Sequence, residues 1–342
     1  MSSPNYKINQ FVKAILVGLP VRHKEVLEGR YGLTSADSKT LAELGTKYNL
    51  TRERIRQIEA LALKTVKAKA ASVDLASFVS AVSANLKNAG NCRREDFLSG
   101  DLVSLATDKE PVALLSNKVK FLLEVCGSFK FAKETDDHRA HWHIGSDDQK
   151  KALGFVSKVL NGWNSKKGEY NAVFASTAKA ANLTDSVAMG YAAISKHVAV
   201  NRYGEVGPSA AAEINPKTAR DWAYLVLKKE QRPMHFNELA KKVSELKATP
   251  VHAPTIHNEL IKDDKFVLVG KGTYSLKEFG IVPGTAREII AHFIKQHGPL
   301  KPKEVMGHVL KDRLFKENTI LINLQNKKHF KRLEDGRYTT LV

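Results

Sequence analysis

SKTLAELGTKYNLTRERIRQIEALALKTVKAK, residues 38–69, is the stretch that decides the first part of the fold. Thr40 followed three residues later by Glu43 is a capping-box pattern, which predicts that a helix begins at the next residue. Asn49 tolerates the left-handed backbone that a tight turn needs, and Thr51 can cap the helix that follows. The stretch therefore predicts a helix-turn-helix, with Gly45 small enough for the two helices to cross closely.

The second of these helices has an apolar and a polar side. Its apolar residues recur at spacings of three and four, which predicts one buried stripe: Ile55, Ile58, Ala62 and Val66. Four polar residues share the first two turns on the other side: Arg52, Glu53, Arg56 and Gln57. Arginine can bind guanine, glutamate can accept from cytosine and glutamine can pair with adenine. These residues favour base readout over the alternative, a solvated helix face with Glu–Arg pairs.

The composition supports a polyanionic partner. The 342 residues carry 54 Lys and Arg against 36 Asp and Glu, a formal net charge of +18. Nucleic acid and an anionic membrane would both attract such a chain. Because no apolar stretch approaches the roughly 20 residues that span a bilayer, we expect no membrane association. The opening residues make a poor signal peptide, and the two cysteines are widely spaced. We therefore expect a cytoplasmic, nucleoid-associated protein.

The histidines and acidic residues give little reason to expect catalysis. His138, His141 and His143 are close in sequence, but they lie on a predicted hairpin that supplies no further ligand, so we expect no metal. No Walker loop, HExxH, GxSxG or kinase motif is present. We expect no cofactor and no enzymatic activity.

Four runs later in the chain pair β-favouring residues around Gly, Asp or Asn, which predicts hairpins. They read GSFKFAKETDDHRAHWHI, HVAVNRYGEVG, KFVLVGKGTYSL and HFKRLEDGRYTTLV. The last two belong to a repeat in which four apolar positions recur 64 residues later. These positions are Ile256, Leu260, Phe266 and Tyr274, then Ile320, Leu324, Phe330 and Tyr338.

Helix, turn, helix, helix and hairpin is the order within each copy, which describes a winged helix. The alternative is a repeated structural spacer. We predict a mainly α fold in which a helix-turn-helix domain is followed by tandem winged-helix domains of three helices plus a β-hairpin. The predicted boundaries are 8–70, 71–146, 147–210, 213–278 and 282–342, of which the second and third domains are divergent copies.

Residues 12–68 resemble region 4 of the housekeeping bacterial sigma factors, which binds the promoter −35 element. The resemblance is carried by LPVRHKEVLEGRYGL and TLAELGTKYNLTRERIRQIEALAL, within which TRERIRQIEA matches the family signature over ten consecutive residues. It implies that Arg52, Glu53, Arg56 and Gln57 contact bases.

The same resemblance implies phosphate contacts at Arg22, Arg30 and Thr40, and Lys64 on the exposed face is a further candidate. Leu61 departs from the family, which usually has Lys there, so we expect one backbone contact of the family to be missing. We expect the chain to lack the promoter-melting domain that sigma factors carry before region 4.

Residues 213–277 resemble a HARE-HTH winged helix, and residues 284–342 look like a degenerate second copy. The resemblance is carried by ARDWAYLVLKKEQRPMHFNELAKKV and PTIHNELIKDDKFVLVGKGTYSL. We expect Thr255 to cap the third helix of the first copy, and Ile261 to pack with its core. Four residues would then be available to DNA: His257, Asn258, Lys262 and, at the hairpin tip, Lys271. A protein-binding winged helix would use the same frame.

These patterns leave three hypotheses. The first is a transcription regulator or sigma-like factor that reads −35-type promoter DNA, with double-stranded DNA and core RNA polymerase as partners. The second is an RNA polymerase-binding accessory protein whose contact with DNA is incidental. The third is a DNA-modification or defence sensor, suggested only by the proteins in which HARE-HTH domains occur.

Overall fold

A computed structural model describes residues 6–166 and 168–341, and this part of the chain is mainly helical. It contains two compact units, one of the residues up to 199 with 206–208, the other of 200–205 with the residues from 209 onward. The first unit begins with the helices α1 (Ile8–Leu16), α2 (Val21–Tyr31), α3 (Leu41–Tyr48) and α4 (Arg52–Ala70).

Helices α3 and α4 form the predicted helix-turn-helix. The Thr40 hydroxyl accepts from the Glu43 backbone N–H at 3.2 Å, and the Glu43 carboxylate accepts from the Thr40 N–H at 2.6 Å, so the predicted capping box is confirmed. Asn49 has φ 54° and ψ 46°, the left-handed backbone expected of the turn. A Cβ on Gly45 would lie 2.7 Å from the Leu50 carbonyl oxygen, so this crossing has no space for a side chain.

Helix α4 is anchored by the stripe that its spacing predicted. Ile55, Ala62 and Val66 are fully buried and Ile58 nearly so. Ile55 and Ile58 pack with Val26 of α2 and Leu44 of α3 in a small core. Thr51 caps α4, its hydroxyl accepting from the Arg54 N–H at 3.2 Å. The helix is therefore fixed at its N-terminus and along its buried side.

After α4 the order helix, strand, helix, helix, hairpin appears for the first time. Its elements are α5 (Ala76–Asn88), β1 (Cys92–Arg94), α6 (Glu95–Ser104), α7 (Val112–Cys126), β2 (Lys130–Ala132) and β3 (His141–His143). The three strands form an antiparallel sheet in the order β1-β3-β2. A second group follows, in which the described residues show no strand between the first two helices: α8 (Ser146–Ser165), α9 (Tyr170–Ala180), α10 (Asp185–Ile194) and the hairpin β4 (Val198–Val200) and β5 (Val206–Pro208).

The second unit contains two further groups with the same order. The first has α11 (Ala219–Glu230), β6 (Met234–His235), α12 (Phe236–Lys247), α13 (Ala253–Lys262), β7 (Phe266–Gly270), β8 (Thr273–Leu276) and a 3₁₀ turn, Lys277–Phe279, with its sheet in the order β6-β8-β7. The last has α14 (Ala286–His297), α15 (Pro302–Asp312), α16 (Glu317–Leu324), β9 (Phe330–Arg332) and β10 (Tyr338–Thr340). Between α14 and α15, where the other group has its first strand, Leu300 forms an isolated antiparallel β-bridge with Tyr338. All four predicted hairpins are confirmed.

One core joins the helix-turn-helix segment to the group that follows it. It contains residues of α1, α2 and α4 together with residues of α5, α6 and α7. Phe121 of α7 is fully buried, and its ring meets that of Tyr31 edge to face at a centroid distance of 5.1 Å. The Asn117 side chain, also on α7, donates to the Ala36 carbonyl at 2.9 Å in the loop before α3. Helix α7 therefore supports the helix-turn-helix from behind.

No helix in residues 6–166 and 168–341 combines the length and apolar character that a membrane crossing requires.

Candidate nucleic-acid interface

The first two turns of α4 present the four residues that the sequence assigned to base readout. Arg52, Glu53, Arg56 and Gln57 are all exposed, while Ile55 between them is fully buried. Since the helix is capped and anchored, these side chains extend from a fixed backbone. The structure thus brings the four residues together on one open surface, which we call the α4 face.

Two contacts organise the α4 face. The Arg56 guanidinium donates to both carboxylate oxygens of Glu53, at 2.7 and 2.8 Å. This pairing holds the pKa of the Glu53 carboxyl below its usual value and raises the pKa of Arg56. Arg54, which the sequence reasoning did not select, donates from Nη1 to the Gln57 side-chain oxygen at 3.0 Å. Its spacing of three residues from Gln57 was the signal that could have identified it.

The residues assigned to phosphate contact lie in different surroundings. Arg22 is exposed and stacks over the Tyr48 ring, with its guanidinium carbon 4.3 Å from the ring centroid. The Lys64 side chain is also exposed. Thr40 is exposed too, but its hydroxyl accepts from Glu43 in the capping box.

Arg30, by contrast, is engaged within the protein. Its Nε donates to the Glu59 carboxylate at 3.1 Å, and its Nη1 donates to the Lys39 carbonyl at 2.7 Å. These contacts tie α2 to α4 and to the loop before α3. Arg30 therefore has a structural role, because it helps to position α4.

The candidates on α13 need correction at three positions. His257 does not point outward: it is half-buried and stacks on Phe236 at a ring-centroid distance of 4.5 Å. Ile261 does not pack, since 63% of it is exposed. Thr255 is not the cap, because α13 begins at Ala253 with His252 at the N-cap position. The helix starts three residues earlier than expected, since Pro254 is well suited to a first turn.

The other three candidates in this group are exposed. Asn258 lies on the outer side of α13, and Lys271 lies in the turn between β7 and β8. Lys262 is also exposed, but its ammonium is 3.8 Å from the Glu259 carboxylate. This surface offers hydrogen-bonding groups with little excess positive charge.

The histidines of β3 are structural. His141 and His143 are both buried, and their Nδ1 atoms lie 2.8 and 2.9 Å from the carbonyl oxygens of Arg139 and Gly145. Burial lowers the pKa of His141. Residues 6–166 and 168–341 contain no group of three His, Cys, Asp or Glu side chains placed to hold a metal ion. Both cysteines are free thiols, and burial raises the pKa of Cys92 to about 12.

Comparison with known proteins identifies the segment that carries the α4 face. Residues 15–68 match the family model "Sigma-70, region 4". Over 60 residues, the chain is 45% identical to the RNA polymerase sigma factor SigA1 of Synechococcus elongatus and to SigA of Nostoc sp.. Each alignment covers 18% of this chain and 15% of the relative. SigA of Synechocystis sp. is likewise 45% identical over 60 residues, which are 14% of its length.

The chain thus spans about a seventh of the length of the curated relatives it matches, as the coverage of 14–15% shows. The match falls on α2, α3 and α4 and on the end of α1, and it includes the helix-turn-helix and the whole α4 face. Residues 15–68 are a sigma-70 region 4 domain.

Proposed function

We propose that this protein binds double-stranded DNA sequence-specifically in transcription and reads −35-type promoter DNA through the α4 face. One observation carries the proposal: the first two turns of α4 expose Arg52, Glu53, Arg56 and Gln57. The helix that presents them is capped at its N-terminus and packed into the core along its other side. A recognition helix contacts bases with residues of its N-terminal turns. Association with RNA polymerase and with the nucleoid belongs to the same proposal.

Each side chain of the α4 face matches a base edge. Arginine can donate two hydrogen bonds to guanine O6 and N7, glutamate accepts from cytosine N4, and glutamine pairs with adenine N6 and N7. Arg22, Lys64 and the Thr40 hydroxyl would then contact phosphates and set the orientation of α4 in the groove. The net charge of +18 favours the approach of any duplex, so sequence preference depends on the α4 face.

We further infer that the four later groups are tandem winged helices. The support is the order of three helices and a hairpin that all four groups share, the strand or bridge after the first helix in three of them, and the matching strand orders β1-β3-β2 and β6-β8-β7. In the second group the described residues show no strand between α8 and α9, and its resemblance to the others rests on the three helices and the hairpin. In a winged helix the third helix and the hairpin are the elements that can contact DNA where they are exposed.

The test of the proposal is selection of bound sequences from a random pool of duplex DNA, using the full chain. We expect a single enriched −35-type motif, because four readout residues on two helical turns address only a few adjacent base pairs. Enrichment without a shared motif, with affinity set by salt alone, would contradict sequence-specific readout.

A Glu53→Gln variant has no carboxylate at this position. We expect its affinity for random duplex DNA to rise several-fold, on the order of the gain from one additional cation–phosphate contact. The carboxylate now pairs with Arg56 and repels phosphate, so its loss frees the guanidinium. Preference at one base pair of the selected motif should weaken at the same time, because a base acceptor is lost. Anisotropy titrations with selected and random duplexes measure both effects. Lower affinity for random DNA would show that Glu53 orients Arg56 productively.

A second candidate function is an RNA polymerase accessory protein that uses the region 4 domain to bind the core enzyme. It is favoured by the names of the relatives, which are RNA polymerase sigma factors, and by the small share of their length that this chain matches. Capture of core polymerase at a salt concentration that abolishes DNA binding would support it. Loss of both interactions at the same salt concentration would favour the first proposal.

A further inference from the structure

The third helices of the four later groups differ in whether their outer surfaces are open. Helix α7 is covered by the region 4 helices: Lys118 and Phe121 are buried, and the Tyr31 hydroxyl donates to Glu124 at 2.7 Å. Helix α10 is covered as well, since Tyr191 is buried and its hydroxyl donates to the Gly90 carbonyl at 2.6 Å. Neither helix has a free side with which to enter a DNA groove.

Helix α13 has an open side, but its charges balance. The segment from Ala253 to Leu276 has equal numbers of positive and negative side chains. They are Lys262, Lys265 and Lys271, and Glu259, Asp263 and Asp264. Lys262 lies near Glu259, and Asp263 pairs with Arg220 at 3.2 Å. Such a surface attracts a polyanion only weakly, because each phosphate approaching a lysine also meets a carboxylate.

Helix α16 has an open side; its own charged residue is Glu317, and exposed positive charge follows it in the chain. Ile320 and Leu324 are buried, while Asn318, Ile322 and Gln325 lie at spacings of four and three on the exposed side. Ile322 is 68% exposed. An α-helix with its side chains is about 10–12 Å across, which fits the width of a B-DNA major groove. Amide side chains such as Asn318 and Gln325 suit the groove edge of adenine.

Four cations follow α16 within eight residues: Lys327, Lys328, Lys331 and Arg332. All four are exposed, and buried Phe330 fixes the start of β9 among them. In the part of the chain that the structure describes, none of the four forms an ion pair with a carboxylate. Arg337 differs, since it is paired with Asp335 at 2.5 Å. We call Asn318, Ile322, Gln325 and the four cations the α16 face.

We propose that the α16 face is a second contact for the backbone of double-stranded DNA, formed by the last group and separate from the α4 face. Phosphates border both sides of a groove, and the four exposed cations follow the C-terminal end of α16 within eight residues of the chain. Because Lys331 and Arg332 are neighbours on β9, they point to opposite sides of the strand, so the proposal needs phosphate contacts from only some of the four. An anionic membrane surface fits less well, because membrane-binding helices bury a broad apolar side and Ile322 stands between two amides. The assignment moves the expected contact from α13 to α16.

The test compares variants of the full chain that each lose three lysines. Lys327→Ala, Lys328→Ala and Lys331→Ala remove charge from the α16 face. Lys295→Ala, Lys303→Ala and Lys311→Ala remove the same charge from α14 and α15, where these lysines are also exposed. Binding to a random duplex is measured by anisotropy across a salt series. The first triple variant should lose about tenfold in affinity at low salt and lower the salt slope by about 3, and the second should change the slope by less than about 1.

Three results would overturn the proposal. One is an equal effect of the two triple variants, which would make net charge the only cause. Another is a larger loss when Lys262, Lys265 and Lys271 are replaced by Ala, which would return the contact to α13. The third is a first triple variant that binds duplex DNA as tightly as the unaltered chain but no longer binds anionic vesicles or single-stranded RNA, which would give the α16 face a different partner. A Lys→Gln version of the first triple, with circular dichroism of all variants, separates binding from folding.

The proposal is independent of base readout by the α4 face, and the same titrations distinguish the two. Loss of the α16 lysines should leave the selected motif unchanged and lower affinity for all duplexes equally. Failure of the α4 proposal would instead appear as an absent motif in the unaltered chain. Either result can occur without the other.

Discussion

Replacement of Phe121 by alanine is expected to lower the free energy of unfolding of the first unit by about 3–5 kcal/mol, the range for removing a fully buried phenylalanine. Phe121 has no exposed surface, and its ring contacts Tyr31 of α2. The cavity would therefore open between α7 and the region 4 helices. Helix-turn-helix stability should fall although the altered residue lies more than 50 positions beyond the end of the matched segment, residues 15–68.

Hydrogen exchange measured peptide by peptide is the appropriate readout, because it separates the two parts of the shared core. We expect faster exchange in α2 and α4 as well as in α7. Phe131→Ala is the control: Phe131 is 42% exposed on β2 and its ring centroid lies 4.8 Å from that of Trp142, so its loss should cost less, about 1–2 kcal/mol. Faster exchange confined to α7 would contradict a joint core.

Polar contacts across the same interface support the expectation. Glu124 of α7 accepts from the Tyr31 hydroxyl at 2.7 Å and lies 3.6 Å from the Lys67 ammonium of α4. Burial, followed by the hydrogen bond to Glu124, raises the pKa of Tyr31 well above its ordinary value. The phenol therefore stays protonated and donating at neutral pH. In this protein α7 covers a surface of the region 4 domain, formed by α2 and α4, that would otherwise be exposed to solvent.

The features that the sequence predicted correctly are those fixed by neighbours along the chain. A capping box needs Thr40 and Glu43 three residues apart, and the left-handed turn needs only Asn49. The buried stripe of α4 follows from spacing alone, because 3.6 residues make one turn. Hairpins are equally local, and all four were found. The α4 face could therefore be identified before any tertiary contact was known.

The features that the sequence missed depend on contacts between distant segments. His257 looks exposed in a helical projection, but Phe236 lies across its ring and covers it. Arg30 looks available to phosphate until Glu59 is brought beside it by the packing of α2 on α4. The burial of α7 requires residues about 90 positions away, as with Tyr31 and Glu124. Periodicity carries no information on such pairs, since it describes each helix alone.

Arg56→Ala is expected to weaken binding to the selected motif by about 1–3 kcal/mol, a loss of about fivefold to more than a hundredfold. A guanidinium that donates two hydrogen bonds to guanine discriminates against the other bases, so preference at that base pair should also be lost. Titrations with the motif, with the motif altered at each position and with random duplex measure affinity and preference together. Lys64→Ala is the control, because a phosphate contact should weaken binding to every duplex alike.

The Glu53–Arg56 pair complicates a single substitution, and the double variant resolves it. In Arg56→Ala the Glu53 carboxylate loses the guanidinium that now neutralises it at 2.7 and 2.8 Å, so part of the lost affinity would be repulsion from phosphate. Glu53→Gln with Arg56→Ala removes that repulsion and leaves only the lost base contact. Affinity for random duplex should then return close to that of the unaltered chain, while preference at the guanine position stays lost. An equal deficit on the motif and on random duplex in the double variant would show that Arg56 contacts phosphate and not a base.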